Sequence, residues 1–380
     1  MEWQRNWNKN VLEHTKKVFS STFFRSLFPF CYICIMEKKY TIKDIAVLAG
    51  VSKGTVDRVL HKRGRVSENA LEKVNAVLRE IDYQPDLMAR NLKNNKTYSI
   101  IVVMPDPSMD PYWSPALLGI AEAMEEFRQF KVTVTHFLYP PDSPKLYLET
   151  NSKVMLSKPD AVLLVPIFFK ETLRILTDYR SNNILVTTFN SHVDSPYINS
   201  FVGQDLVQSG RVAAKLLNSV VREGLLAIVH IDEVLKNAVH IQEKEKGFRD
   251  YFSQVEGRYE LVTVKLKNTS FAEDLPLFLK QHPKLTGIFV TTSKAYKVAR
   301  VLEADRLSKI ALVGYDLLEE NLRFLRNGTI DFLIHQNPKR QAYLGVAHLV
   351  EHFLFNKEIP STKLLPIDII NSENAVYQNL

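Results

Sequence analysis

The chain is 380 residues long, with 46% hydrophobic residues, 13 Gly and 17 Pro, which suits two or three globular domains and excludes disordered, fibrous and collagen-like classes. No run reaches the roughly 18 apolar residues of a membrane-spanning helix. Cys31 and Cys34, the two cysteines, lack the second pair that a zinc site or a disulfide framework would need. The net charge of +7 is uneven: residues 1–35 carry 5 basic and 2 acidic side chains, residues 36–97 carry 13 and 8, and residues 98–380 carry 31 and 32. A small basic portion joined to a larger near-neutral one predicts a module that meets polyanions, carried by a body with another task.

Residues 1–35 hold an apolar stretch from Leu27 to Ile35 behind Lys16, Lys17 and Arg25, which imitates an export signal. Pro29 interrupts it and no small-residue cleavage pattern follows, so the expectation is a dispensable N-terminal extension, with Met36 opening the working chain. From Thr41 the pattern turns helical. Thr41 is a candidate N-cap with Asp44 three residues on, and Ile42, Ile45, Ala46 and Ala49 share one face. Gly50, free to take positive φ, predicts a tight turn, and Ser52 caps a second helix from Lys53 to about Leu60, with Val56, Val59 and Leu60 inward. Ser67 caps a third, whose stripe is Leu71, Val74, Val77, Leu78 and Ile81. Tyr83 and Pro85 end it. Asp86 to Lys93 favours helix but is well short of the roughly 12 to 15 residues an isolated helix needs, so it is expected to order only on binding.

From Tyr98 onward, apolar runs alternate with helical patterns: 98–104, 132–138, 161–166 and 184–189, then 225–231, 261–266, 286–291 and 311–315. Such runs predict parallel strands covered on both faces. Two successive sets predict two lobes with a ligand cleft where the C-terminal strand ends face each other. The fold class is therefore α/β: an all-α helix-turn-helix head followed by a two-lobed, doubly wound parallel-sheet domain. The expected boundaries are 1–35 extension, 36–84 head, 85–97 hinge helix and linker, and 98–380 two-lobed body.

A helix fits the major groove, and with Val56, Val59 and Leu60 turned inward, Lys53, Gly54, Thr55 and Arg58 near the start of the second helix point outward as candidate reading residues. Arg58 could pair its planar fork with guanine. Asp57 either accepts from cytosine or pairs with Arg58. The stretch from Thr41 to Leu92, with TIKDIAVLAGVS, TVDRVL, VSENALEKV, YQPDLMAR and its final Leu, resembles the DNA-binding head of the lac repressor family of bacterial transcription regulators. That resemblance implies base-reading positions at Lys53, Gly54 and Arg58, a hinge helix over Asp86 to Lys93, and Leu92 as its minor-groove wedge.

The remainder, about residues 98–370, is similar to the same family's effector domain, itself akin to periplasmic sugar-binding proteins. DPYWSPALLGI at 110–120, TFNSHVDS at 188–195, FVGQDLVQSGRVAA at 201–214, GFRDYF at 247–252, LVGYD at 312–316 and IHQNP at 334–338 carry this likeness. It implies a cleft presenting Asp110, Tyr112, Trp113, Asn190, Gln242, Phe271, Thr292, Asp316 and Gln336. Aromatic faces there would cover the CH side of a sugar ring while carboxylates and amides bind its hydroxyls. Gln242 stands where an Arg is frequent and Thr292 where Asn or Asp is frequent.

No GxGxxG, Walker loop, GxSxG or HExxH occurs, and the ten His form no convincing ligand pair. His136, His230 and His335 follow or end apolar runs, where a hydrogen-bonded structural role is expected. The expectation is a cytoplasmic homodimeric regulator, not an enzyme, without cofactor or metal, whose partners are an operator in double-stranded DNA and a small carbohydrate effector. The rivals are a periplasmic-type sugar-binding protein serving a transporter and a sugar-processing enzyme.

Overall fold

A computed structural model describes residues 40–60, 63–81, 96–231, 238–257, 259–305 and 310–377. The predicted extension 1–35 and hinge segment Asp86 to Lys93, with Leu92, lie outside the described residues. The chain divides into two compact units, Met1–Pro85 and Asp86–Leu380.

In the first unit, α1 (Ile42–Ala49) starts at a capping box: the Thr41 hydroxyl accepts from the Asp44 amide, and the Asp44 carboxylate accepts from the Thr41 amide at 2.9 Å. Gly50 ends it at φ 62°, its amide reaching the carbonyls of Ala46 and Val47. Helix α2 (Lys53–Leu60) begins where Ser52 Oγ accepts from Thr55 N at 3.1 Å. Helix α3 (Glu68–Glu80) has Ser67 at its N-cap, but the Ser67 side chain makes no capping bond there. Ile45, Ala46, Ala49, Val56, Val74 and Val77 form the core of this unit. Leu71 departs from the expected stripe and is 41% exposed. The helix instead turns Ala70, four residues before Val74, partly inward.

The second unit holds two six-stranded sheets. The first lobe contains β1 (Tyr98–Pro105), β2 (Val132–Tyr139), β3 (Ala161–Leu164), β4 (Leu185–Phe189) and β5 (Ser200–Gly203), with α4 (Ser114–Glu126), α5 (Pro144–Leu156) and α6 (Phe169–Ser181) between them. Helix α7 (Leu206–Val220) then opens the second lobe, followed by β6 (Gly224–Ile231), α8 (Val239–Phe252), β7 (Tyr259–Leu266), α9 (Phe271–Gln281), β8 (Leu285–Val290), α10 (Ala295–Ala304), β9 (Ala311–Tyr315), α11 (Glu319–Arg326) and β10 (Phe332–His335). The chain returns to the first lobe as α12 (Pro338–Phe355) and β11 (Thr362–Leu364), and ends in the second as β12 (Asp368–Ile370). The sheet orders are β11-β5-β4-β3-β1-β2 and β12-β10-β9-β8-β6-β7, parallel throughout except for β12 against β10. The lobes are thus joined by three crossings, at 204–205, 336–337 and 365–367.

Each sheet is covered on both faces, as parallel sheets require. Ile100, Val102 and Met104 of β1 pack with α4 and α12, while Ile101 and Val103 pack with α5 and α6. In the second lobe Ala227 and Val229 face α9 to α11, and Leu226 and Ile228 face α7 and α8. All eight predicted strands are present. β2 and β7 are edge strands and partly exposed rather than apolar throughout, because each has a neighbour on one side alone. Strands β5, β10, β11 and β12, of three or four residues each, were not predicted as strands. Helices α7 and α8 touch backbone to backbone: a Cβ at Gly247 would lie 1.8 Å from the Val207 carbonyl oxygen. Among the described residues no helix is long and apolar enough to cross a membrane.

Candidate functional site

Two surfaces matter. On the first unit, the start of α2 leaves Lys53, Gly54 and Arg58 exposed. Val56 is fully buried and so fixes the rotation of the helix about its axis. Thr55 sits differently: it is half-buried and its hydroxyl lies 2.9 Å from that of Ser52, within the cap. Three of the four candidate reading residues therefore face outward, and Thr55 holds the turn that presents them.

In the second unit the candidate effector residues follow C-terminal strand ends. Asp110 comes after β1, Asn190 after β4, Gln242 in the first turn of α8 after β6, Phe271 after β7, Thr292 after β8, Asp316 after β9 and Gln336 after β10. Asp110 Oδ1 accepts from Tyr112 N at 3.2 Å and so starts the 3₁₀ turn Pro111–Trp113. That turn aims the Tyr112 hydroxyl at Asn190, whose Nδ2 donates to it. Burial, reinforced by Asp316 and Asp110, pushes the Tyr112 hydroxyl well above the ordinary tyrosine range, so it keeps a proton to donate. Tyr112 and Asn190 belong to the first lobe and Asp316 to the second, so the two lobes meet electrostatically here.

Asp316 is the most elaborately held of these groups. Its backbone is left-handed, at φ 66°. Its Oδ1 accepts from Gln336 N at 3.0 Å and its Oδ2 from Gln336 Nε2 at 2.7 Å. Residue types alone gave no sign of the support beneath it. Asn321 in α11 is fully buried, and its Nδ2 lies 2.8 Å from Ser293 O, 3.0 Å from Tyr315 O and 3.0 Å from Asp316 O. Its Oδ1 accepts from Tyr296 N at 2.7 Å. One amide thus fixes both the loop after β8, which carries Thr292, and the loop after β9, which carries Asp316.

Tyr112 is bonded to Asp110 and Asn190 in the first lobe and Asp316 to Gln336 in the second, and the charge of Asp316 acts on Tyr112 between them. Others are placed otherwise. Trp113 is a core residue, its ring 4.7 Å from Tyr112 and 6.2 Å from Phe189, and Phe271 packs into the core of the second lobe. Gln242 is exposed on α8, and Thr292 Oγ1 lies 3.4 Å from the Lys294 amide. His230 is buried in a network of its own, with Nδ1 2.8 Å from Thr291 Oγ1 and Nε2 2.8 Å from Glu245 Oε2. Among the described residues no group of three or more His, Cys, Asp or Glu is arranged to hold a metal ion.

Comparisons with known proteins match both units. A family model described as bacterial regulatory proteins, lacI family, covers residues 41–86, and one described as a periplasmic binding protein domain covers 100–357. The chain is 25% identical over 346 residues to a ribose operon repressor of Lactococcus lactis, spanning 88% of this chain and 97% of the relative. It is equally 25% identical over 348 residues to a sucrose operon repressor of Streptococcus mutans, spanning 88% and 99%. A crystal structure from Bacteroides fragilis, described as a LacI transcriptional regulator, superposes with a TM-score of 0.70 at 28% identity, over 75% of this chain and 100% of that one.

Proposed function

Since the chain belongs to the lacI family of bacterial regulatory proteins, with a periplasmic binding protein domain as its larger unit, we propose that Lys53, Gly54 and Arg58 read its operator while Asp110, Tyr112, Asn190, Asp316 and Gln336 bind its effector. It is a DNA-binding transcriptional regulator modulated by a small carbohydrate. The observation that carries the site assignment is the pairing of Asp316 with Gln336 opposite Tyr112 and Asn190. A carboxylate whose geometry is set by an amide, facing a protonated hydroxyl across two lobes, suits a neutral polyhydroxylated ring.

In this reading the protein is a cytoplasmic homodimer, two heads meet the two halves of a pseudo-palindromic site, and Leu92 wedges the minor groove between them. The effector alters DNA affinity by binding one arrangement of the lobes better than the other, with a coupling of about 1–3 kcal/mol. The cleft binds its ligand without turning it over. The likeness to transporter-associated sugar-binding proteins is one of fold.

The test is capture of genomic fragments on the purified chain at moderate salt, followed by anisotropy titration of the best fragment. Arg58→Ala should weaken that fragment by about 10-fold or more while leaving random duplex little changed. Asp316→Ala should keep the sugar-free affinity and abolish the response to sugars. Equal loss on both DNAs would remove Arg58 from base reading, and an intact sugar response would remove Asp316 from the cleft.

A further inference from the structure

We propose that Gln204 is a positioning residue that fuses the three lobe crossings into one hinge and ties that hinge to the Asp316 carboxylate. Gln204 lies in the first crossing and is 2% exposed. Its Nε2 donates to His335 O, at the end of β10 where the second crossing starts, at 2.9 Å and to Pro366 O, in the third, at 2.6 Å. Both neighbours are carbonyl acceptors, so the nitrogen rather than the oxygen of the amide must face them. One side chain, with its two hydrogens, spans all the segments through which either lobe can rotate.

The bond to His335 reaches further. The His335 carbonyl and the Gln336 amide belong to one planar peptide group. That group accepts from Gln204 on one edge and donates to Asp316 Oδ1 at 3.0 Å on the other. Gln336 Nε2 grips Oδ2 of the same carboxylate, and the Gln336 carbonyl accepts from Gln341 Nε2 at 2.6 Å, which anchors the start of α12. The next residue, Asn337, is left-handed at φ 55° and caps α12 through Arg340 N. The peptide cannot tilt to follow a change at Asp316 without disturbing the Gln204 bond, and a hinge motion that moves the crossings apart pulls on the same peptide. Aligned hydrogen bonds of this kind also polarise one another. A ligand hydroxyl at Asp316 and the angle between the lobes are thereby linked through a single amide.

The consequence for signalling rests on the regulator reading above, but the hinge itself can be tested without DNA or sugar. The measurement is amide hydrogen exchange on the full chain, comparing wild type with Gln204→Met, which keeps length and burial but removes the donor. Exchange at Gln336 and across 363–368 should rise by about tenfold or more, while the central amides of β1 and β6 stay within about twofold of wild type. Gln204→Asn keeps an amide but shortens its reach, and should give a smaller rise at the same sites; it also serves should the Met variant fail to fold. Wild-type exchange at Gln336 in the variants, or a uniform rise through both lobes, would overturn the proposal. Failure to bind any genomic fragment would count against the regulator reading and leave the exchange result standing.

Discussion

His230 and Glu245 show how much a single pair, one partner buried and the other half-buried, can fix. The Glu245 carboxylate accepts from His230, Thr263 and Arg249, and these bonds, the one from His230 foremost, pull it down to about 2 against the burial that opposes them. A carboxylate depressed in the folded state contributes stability that is fully present above its unfolded value of 4.5 and is lost as pH falls toward 2. Thermal unfolding between pH 5 and 2 should therefore show a steep fall in wild type, flattened in Glu245→Gln, with melting temperature as the readout. A variant as acid-sensitive as wild type would show that other carboxylates set the slope. At this scale the sequence was partly legible. His230, ending an apolar run, was expected to be a hydrogen-bonded structural residue, and its two partners fit that role. Asn321 was not legible, because its role lies in carbonyls contributed by residues 293, 315 and 316, which only the folded chain brings together.

Two glycines separate the effects that shape the elements. Gly50 needs its left-handed backbone, and a Cβ there would meet nothing within 4 Å. Gly50→Ala should therefore cost the head only the conformational penalty, about 1–2 kcal/mol. Gly247 is ordinary in backbone, but an added methyl would collide with the Val207 carbonyl and push α7 from α8. Gly247→Ala should cost about 1–3 kcal/mol or more by overpacking. Urea unfolding of the two variants would measure both, and a Gly247 variant as stable as wild type would show that the helices can separate freely. The turn at Gly50 was readable from sequence because its cause is local. The Gly247 contact was not, since its partner lies 40 residues away in the chain. The same distinction explains the strands. Stretches of five to seven residues rich in apolar and β-branched side chains announced themselves, whereas β11 and β12 are three residues long and exist only by pairing with β5 and β10.

Over the whole molecule, neither lobe is a continuous stretch of chain. The first lobe needs α12 and β11, which follow the entire sheet of the second apart from β12. Ala342, Leu344, Val346, Leu349 and Val350 of α12 complete the core on one face of β1 and β3. A chain stopped after Ile330 would keep β1 to β5 yet expose that face, and it should fail to fold in the first lobe as well as the second. Limited proteolysis would check this: protected fragments from residues 98–203 in the shortened chain would show that the first lobe stands alone. The two-lobed plan was visible in the order of apolar runs, but the return of the chain was not, because α12 carries no mark of the lobe it serves.

The interleaving has a cost during translation. The head has its helices by Glu80 and can mature while the ribosome is still far from the end. The first lobe cannot close its core until α12 has emerged, nor the second until Ile370 of β12 has, so for most of its synthesis the nascent body presents half-covered sheets. Chaperones would meet this protein as a finished DNA reader trailing an unfinished body, and premature termination would release that reader without its control.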